Sequence, residues 1–382
     1  MAKLKQLVIS AAKGIVSIFP ARNIIILQTC PPFTDNTMAV FNEMLKRGLN
    51  KKYKIVWTRV DKTKPLPQWE NVYFLDENRA FDNFLLFYYR KFAKCLISCN
   101  GFLSTFRKGQ TSFYITHGTP VKSVASYYNI PDNVDYILVD GEGTRPITAH
   151  ELKGDVNKCF ALGYPRNDIL STSNIDLHTL FPENPDDKII IWYPTFRQHS
   201  NGLVSFRDDK AIPMLHDTKI ANELNEIAKK HKVLLVLKPH FAQDVSKIKA
   251  CNLSNIKFIN DQFYVDNNIM PYEFIANTDA LISDYSSVYF DYLVCNKPIG
   301  LVWEDYEDYK NTVDFAIDMD FCMKGGEKIY DLADFESFIK NVSENNDVLK
   351  SERADVMKWA CYKEIGGAAA RVTDFIVEKA KL

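Results

Sequence analysis

Several things are scarce in this sequence, and each scarcity removes a class of function. The 47 basic residues are balanced by 48 acidic ones and form no block. Without clustered cations a chain offers little to a nucleic-acid backbone, so no nucleic-acid partner is expected. No uninterrupted apolar stretch approaches the roughly 20 residues that cross a bilayer, and residues 1–25 show no compact apolar core with a cleavage site. The eight cysteines (Cys30, Cys95, Cys99, Cys159, Cys251, Cys295, Cys322 and Cys361) form no CxxC pair and sit in apolar segments, where buried free thiols are expected. Cys95 and Cys99 could share a helix face, but no nearby histidine completes a zinc set, and no metal is expected. A glycine-rich phosphate loop is also missing. Gly141 and Gly143 begin a GxGxxG-like pattern, but Pro146 stands where its third glycine belongs. These absences predict a protein of the cytoplasm or of a membrane surface facing it.

What is present is globular in kind. The 382 residues are 46% apolar, enough for two domains with their own cores. Short β-branched and aromatic runs alternate with longer amphipathic stretches, the pattern of parallel strands covered by helices. Strands are predicted at 22–28, 53–57, 71–74, 94–98, 112–116, 135–139 and 158–162, then at 188–193, 233–238, 256–260, 280–284 and 298–302. Between the two sets, 171–187 is polar, carries two prolines and lacks periodicity, as expected of a linker. The predicted organisation is an amphipathic helix (1–20), a first Rossmann-like domain (21–170), the linker, a second Rossmann-like domain (188–345) and carboxyl-terminal helices (346–382) that could cross back to the first domain.

The helix at 1–20 places Leu4, Leu7, Val8, Ala11, Ile15 and Ile18 on one face and Lys3, Gln6, Ser10, Lys13 and Ser17 on the other. Such a helix either lies in a headgroup layer or packs on its own domain. In a second aromatic segment, 84–92 (FLLFYYRKF), a core role is expected ahead of a membrane-facing one.

In open parallel sheets, ligands gather at the carboxyl ends of strands, and four segments carry unusual residues there. In FYITHGTPVK (113–122), His117 ends a strand, Gly118 permits a turn, Thr119 and Pro120 suit the start of a helix, and Lys122 would lie in its first turn. A cation at that position calls for a nearby anion; the plainer reading is a strand-to-helix turn. In YPTFR (193–197), Thr195 and Arg197 offer a hydroxyl and a planar fork suited to phosphate oxygens. In LKPHF (237–241), Pro239 marks a strand end and leaves Lys238 and His240 at the rim. Two imidazoles from separate domains could serve as base and donor. In LISDYSSVYFDYL (281–293), an apolar strand runs into Ser286 and Ser287 and then a helix, a candidate anion cradle. Asp284 beside a phosphate would be repulsive unless it accepts from a serine, a sugar hydroxyl or Lys297; otherwise it is a helix cap.

In this order, HGTPVK, YPTFR, KPH and ISDYSSVYFDYLVCNKPI (282–299) resemble the CDP-glycerol:poly(glycerophosphate) glycerophosphotransferases, the teichoic-acid primases and polymerases. The resemblance implies a GT-B-like fold of two facing Rossmann-type domains, a CDP-activated polyol phosphate donor, a lipid-linked saccharide or polyol-phosphate polymer acceptor, and peripheral attachment to the cytoplasmic membrane face. Two departures stand out: Phe241 replaces the family's usual proline, and its DGxASxR pattern reads IGGAAAR (365–371) here.

The expected chemistry is attack of an acceptor hydroxyl on the β-phosphorus of a CDP-polyol, with release of CMP. His117 would take the proton. His240, Arg197 and the Ser286/Ser287 helix start would hold phosphoryl charge, while Lys238 and Lys122 bind the donor; no cofactor or metal is called for. Two alternatives are a GT-B glycosyltransferase using a nucleotide sugar, for which Asp284 and Asp291 would be an acidic pair, and a noncatalytic lipid- or glycan-binding scaffold.

Overall fold

The computed structural model describes residues 20–195, 212–240 and 245–382. The expected amino-terminal helix, Arg197 and Phe241 lie outside the described residues. The chain divides into two compact units. Unit 1 holds the chain through Thr119, Ala125–Asp168 and Tyr362–Leu382; unit 2 holds Pro120–Val124 and Ile169–Cys361.

All twelve expected strands form, with no end displaced by more than two residues. Unit 1 contains β1 (Arg22–Gln28), β2 (Lys54–Trp57), β3 (Val72–Phe74), β4 (Ala93–Ser98), β5 (Thr111–Ile115), β6 (Tyr136–Val139) and β7 (Cys159–Ala161), in the order β3-β2-β1-β4-β5-β6-β7. Unit 2 contains β8 (Lys188–Trp192), β9 (Val233–Leu237), β10 (Ile256–Phe258), β11 (Ala280–Ser283), β12 (Ile299–Val302) and β13 (Glu327–Ile329), in the order β10-β9-β8-β11-β12-β13. Every pairing between these thirteen strands is parallel. Both sheets thus repeat the doubly wound order, reversing direction between β1 and β4 in one unit and between β8 and β11 in the other. Strand β13 escaped the sequence reading because its three residues, Glu-Lys-Ile, carry two charges. It forms at the sheet edge because β12 offers it a partner.

The central strands are apolar without alternation because both faces are covered: Ile25, Ile26 and Leu27 in β1 and all five residues of β9 are fully buried. In unit 1, α1 (Asp35–Lys46) turns Val40, Phe41 and Met44 onto the sheet, and α2 (Ala80–Phe92) covers the other face through Leu86 and Tyr89. Segment 84–92 is therefore only partly core: Phe84 and Phe87 are 67% and 63% exposed, as is Phe81 just before it at 70%.

Residues 171–187 do not form a free linker. The passage between units falls at Asp168 and Ile169. The polar stretch then packs into unit 2, because it contains Leu177 and Phe181, both buried; Phe181 stacks on Phe263 at 5.9 Å, and the Ile175 amide donates to Asn277 Oδ1 at 3.1 Å. The carboxyl-terminal segment also divides. A helix at Lys350–Ala360 stays in unit 2 with its buried Arg353, whereas α3 (Ala368–Ala380) packs Val372, Ile376 and Ala380 into the core of unit 1. Asp168 fixes the start of α3 by accepting from the Ala368 and Ala369 amides at 2.8 and 2.9 Å. Arg371, in the divergent IGGAAAR segment, donates to the carbonyls of Leu162, Gly366 and Glu364. None of the described helices is long and apolar enough to cross a membrane.

Candidate active site

In unit 1 the strand order reverses between β1 and β4, and the crevice at their carboxyl ends collects side chains from four strand exits. Asp35 follows β1, Cys99 and Asn100 follow β4, His117 follows β5 and Arg166 follows β7. His117 is exposed, at 60% of its side-chain surface, while Asp35 beneath it is buried at 5%. The His117 Nδ1 contacts Asp35 Oδ2. The other carboxylate oxygen accepts from Arg166 at 2.6 Å and from the Asn36 amide at 2.7 Å. Asn36 braces the group from behind: its Nδ2 donates to the Thr116 carbonyl at 3.0 Å, and its Oδ1 accepts from the Arg166 amide at 3.1 Å. Burial pushes the Asp35 carboxyl up, but the Arg166 guanidinium and the His117 bond outweigh it and hold the group well below the usual carboxylate range.

Asp35, Cys99 and His117 offer three potential ligand atoms within 4.8 Å. The cluster is compensated from within, however. Arg166 already occupies the carboxylate, and burial, reinforced by the neighbouring Asp35 charge, pushes the Cys99 thiol well above its ordinary value.

Beyond His117 the structure departs from expectation. No helix starts at Thr119. Gly118 is half-buried and Thr119 fully buried, the latter with a hydroxyl that has no partner among the described residues. Pro120–Val124 then belongs to unit 2, where Lys122 bridges Phe315 in antiparallel fashion, the Ser123 amide donates to the Asp314 carbonyl at 2.7 Å and the Ala316 amide to the Val121 carbonyl at 2.9 Å. Strand-like pairing takes the backbone groups that a helical turn would have used, so neither the Thr119 cap nor the first-turn position of Lys122 exists.

In unit 2 the corresponding crevice lies where β8 and β11 end. Asp284, 1% exposed, accepts from the Thr195 amide at 2.9 Å, the Thr195 hydroxyl and the Tyr285 amide at 2.7 Å. Ser283 adds a bond to the Tyr193 carbonyl at 3.0 Å. Thr195 and Asp284 therefore lock the two strand ends together. Lys297 precedes β12 and so sits at the amino ends of the strands, away from the crevice at their carboxyl ends, donating to the Ala276 and Thr278 carbonyls at 2.8 and 2.7 Å rather than facing the expected donor site. The Ser286 hydroxyl accepts from the Val288 amide at 3.4 Å, and Ser287 makes no side-chain cap to the five-residue helix Val288–Tyr292. Lys238 stays at the rim, 3.0 Å from Asp261 and 6.0 Å from the centre of the Tyr193 ring. His240 lies just past the end of β9, partly exposed. Asp291, the other half of the supposed acidic pair, is buried and accepts from the Tyr272 hydroxyl at 2.7 Å.

Sequence reasoning missed Asp35 and Arg166. Asp35 lies in a Thr-Asp-Asn stretch ahead of an amphipathic run, which reads as a helix cap, and nothing local ties it to His117, 82 residues further on. Arg166, after Tyr164 and Pro165, is one strand-end arginine among several.

Two doubly wound parallel units with polar side chains gathered at their switch points define a GT-B-like protein. The structure of the wall teichoic acid polymerase TagF matches with a TM-score of 0.70 over 94% of this chain and 90% of that one, at 19% identity. A putative UDP-N-acetylglucosamine 2-epimerase from Listeria monocytogenes shares the fold more distantly, with a TM-score of 0.54, 13% identity and coverage of 94% and 97%. The CDP-glycerol:poly(glycerophosphate) glycerophosphotransferase profile matches residues 13–378, and the chain belongs to that family of transferases. Among its relatives is a teichoic acid poly(glycerol phosphate) polymerase of Bacillus spizizenii, 24% identical over 90% of this chain and 88% of the relative. A teichoic acid ribitol-phosphate primase of the same organism is 25% identical over 65% of this chain, which spans only 60% of that relative.

Proposed function

We propose that this protein transfers a polyol phosphate, glycerol phosphate first among the candidates, from a CDP-activated donor to a hydroxyl of a lipid-linked saccharide or polyol-phosphate polymer. The acceptor oxygen bonds to the donor's β-phosphorus as the bond from that phosphorus to the bridging oxygen breaks, and CMP leaves with that oxygen. The acceptor proton passes to His117, a step worth about 10²–10⁴-fold in rate. His240 and Arg197 stabilise charge on the phosphoryl oxygens, and Lys238 binds the donor's phosphates. No cofactor or metal has a part in this scheme. The observation that carries it is His117, an exposed imidazole at the switch-point rim of unit 1 in a chain that matches the family along nearly its whole length. The sugar-transferase alternative loses its motif, since Asp284 and Asp291 are both buried in internal hydrogen bonds.

The proposal includes peripheral attachment to the cytoplasmic membrane face. In support, α2 projects Phe81, Phe84 and Phe87 outward, with Lys91 lying 5.2 Å from the Phe87 ring centre.

The test is to incubate purified protein with CDP-glycerol, CDP-ribitol or UDP-sugars in the presence of lipid-linked disaccharide or polyol-phosphate acceptors, and to weigh the products. CMP release with a mass gain of one or more glycerol phosphates is expected, and transfer from a UDP-sugar would overturn the proposal. His117→Ala should nearly abolish CMP release while sparing donor binding; near-normal turnover removes the base assignment.

A further inference from the structure

We infer that Asp35 is the positioning residue of this reaction, holding the His117 imidazole with its proton on Nδ1 so that the Nε2 lone pair is available to the acceptor hydroxyl. The inference rests on His117 being the base.

Three groups surround Nδ1. Asp35 Oδ2 is the nearest, while Asn100 Nδ2 and Arg166 stand at 3.5 Å. Guanidinium and amide nitrogens only donate, so the carboxylate is the one acceptor in that set. A bare ring nitrogen pressed against an ionised carboxylate would be repelled, and a close approach there requires the proton on Nδ1. Nε2 makes no hydrogen bond among the described residues, which leaves its lone pair for a substrate.

The surroundings favour orientation over field strength. Arg166 neutralises much of the Asp35 charge at 2.6 Å, so the carboxylate acts on the ring chiefly by fixing its angle and tautomer and by accepting from the imidazolium once the proton arrives. The backbone is bent to permit this. Asp35 has φ = 61°, a left-handed conformation that is strained for a non-glycine residue. That strain is offset by bonds to Asn36, Arg166 and His117, and Asn36 in turn ties the group to the β5 exit at Thr116. An ordinary helix cap would need none of this apparatus; Asp35 is the first residue of the helix, after the cap position at Thr34, and the helix amide bonded to its side chain is that of the adjacent Asn36.

The test uses the full chain with ¹⁵N-labelled histidine, the His117 signals being assigned by their loss in His117→Ala. Neutral His117 should carry its proton on Nδ1. In Asp35→Asn the new amide can donate to Nδ1, so the tautomer should invert, with kcat for CMP release falling about 10²–10⁴-fold and KM for CDP-glycerol little changed. If Asp35→Asn strands Arg166 and fails to fold, the paired variant Asp35→Asn/Arg166→Gln, neutral on both sides, takes its place with the same expectations. An Nε2–H tautomer in the unaltered protein overturns the inference. So does a folded variant whose tautomer is unchanged, whatever its activity, since that would leave Asp35 a structural role only. Failure of the base assignment looks different: His117→Ala would keep turning over while the tautomer result stood.

Discussion

At the scale of single residues, the two crevices use buried aspartates in opposite ways. Asp284 spends its acceptors on Thr195 and Tyr285 and so welds β8 to β11, while Asp35 spends part of its own on an exposed imidazole. The Asp35 carboxyl is held below its unfolded value of 3.8, so its stabilising effect is complete above that pH and is lost as pH falls through the lower folded-state value. The stability difference between the native protein and Asp35→Asn should therefore be largest near neutrality and shrink in strongly acid solution, as urea unfolding at a series of pH values would show. A difference that grew on acidification would contradict the pairing. The cysteines behave less uniformly than their apolar settings predict: five are buried, but Cys30 is exposed. Burial pushes the Cys159 thiol up to about 11 and that of Cys322 up to about 12, which keeps both protonated.

At the scale of elements, α2 shows how a single helix serves two solvents. Leu86 and Tyr89 belong to the core of unit 1, whereas Phe81, Phe84 and Phe87 follow a three-residue spacing on the outer face. Replacing those three with serine should leave the melting temperature nearly unchanged, because the rings lose little burial, while weakening co-sedimentation with anionic lipid vesicles. Unchanged vesicle binding would remove α2 from the proposed membrane attachment. The loop after β5 teaches the reverse lesson. Its Thr-Pro pair looks like a helix start, yet the Val121 and Ser123 backbone groups pair with Ala316 and Asp314. Local propensity yields because a segment from a distant part of the chain satisfies the same donors and acceptors.

At the scale of the whole molecule, the chain passes between units four times, at Thr119/Pro120, Val124/Ala125, Asp168/Ile169 and Cys361/Tyr362. Each unit is thus assembled from separated segments around its own apolar core. A donor bound to the native chain stabilises it by mass action, by about 2.7 kcal/mol at a hundredfold excess over Kd. Calorimetry should accordingly show CDP-glycerol raising the melting temperature and glycerol alone leaving it in place. The noncatalytic scaffold predicts no nucleotide effect, and a flat response to CDP-glycerol would favour it.

The thirteen strands of the described residues divide by how they are encoded. Runs such as Ile24–Leu27 and Val233–Leu237 declare themselves, because burial on both faces demands unbroken apolar sequence, and the prolines and glycines after them mark where each strand must stop. The rim positions of His117, Lys238 and His240 follow from that local grammar. Strand β13, the packing of 171–187 and the Asp35–His117–Arg166 group do not, since each depends on a neighbour that only the folded sheet supplies. Lys297 makes the same point in reverse: a cation close in sequence to Ser286 is carried to the amino ends of the strands by the intervening helical segment. Periodicity and burial are properties of adjacent residues and can be read along the chain, whereas which strand exits share a crevice is decided by the order of strands across the sheet, through contacts between residues tens of positions apart.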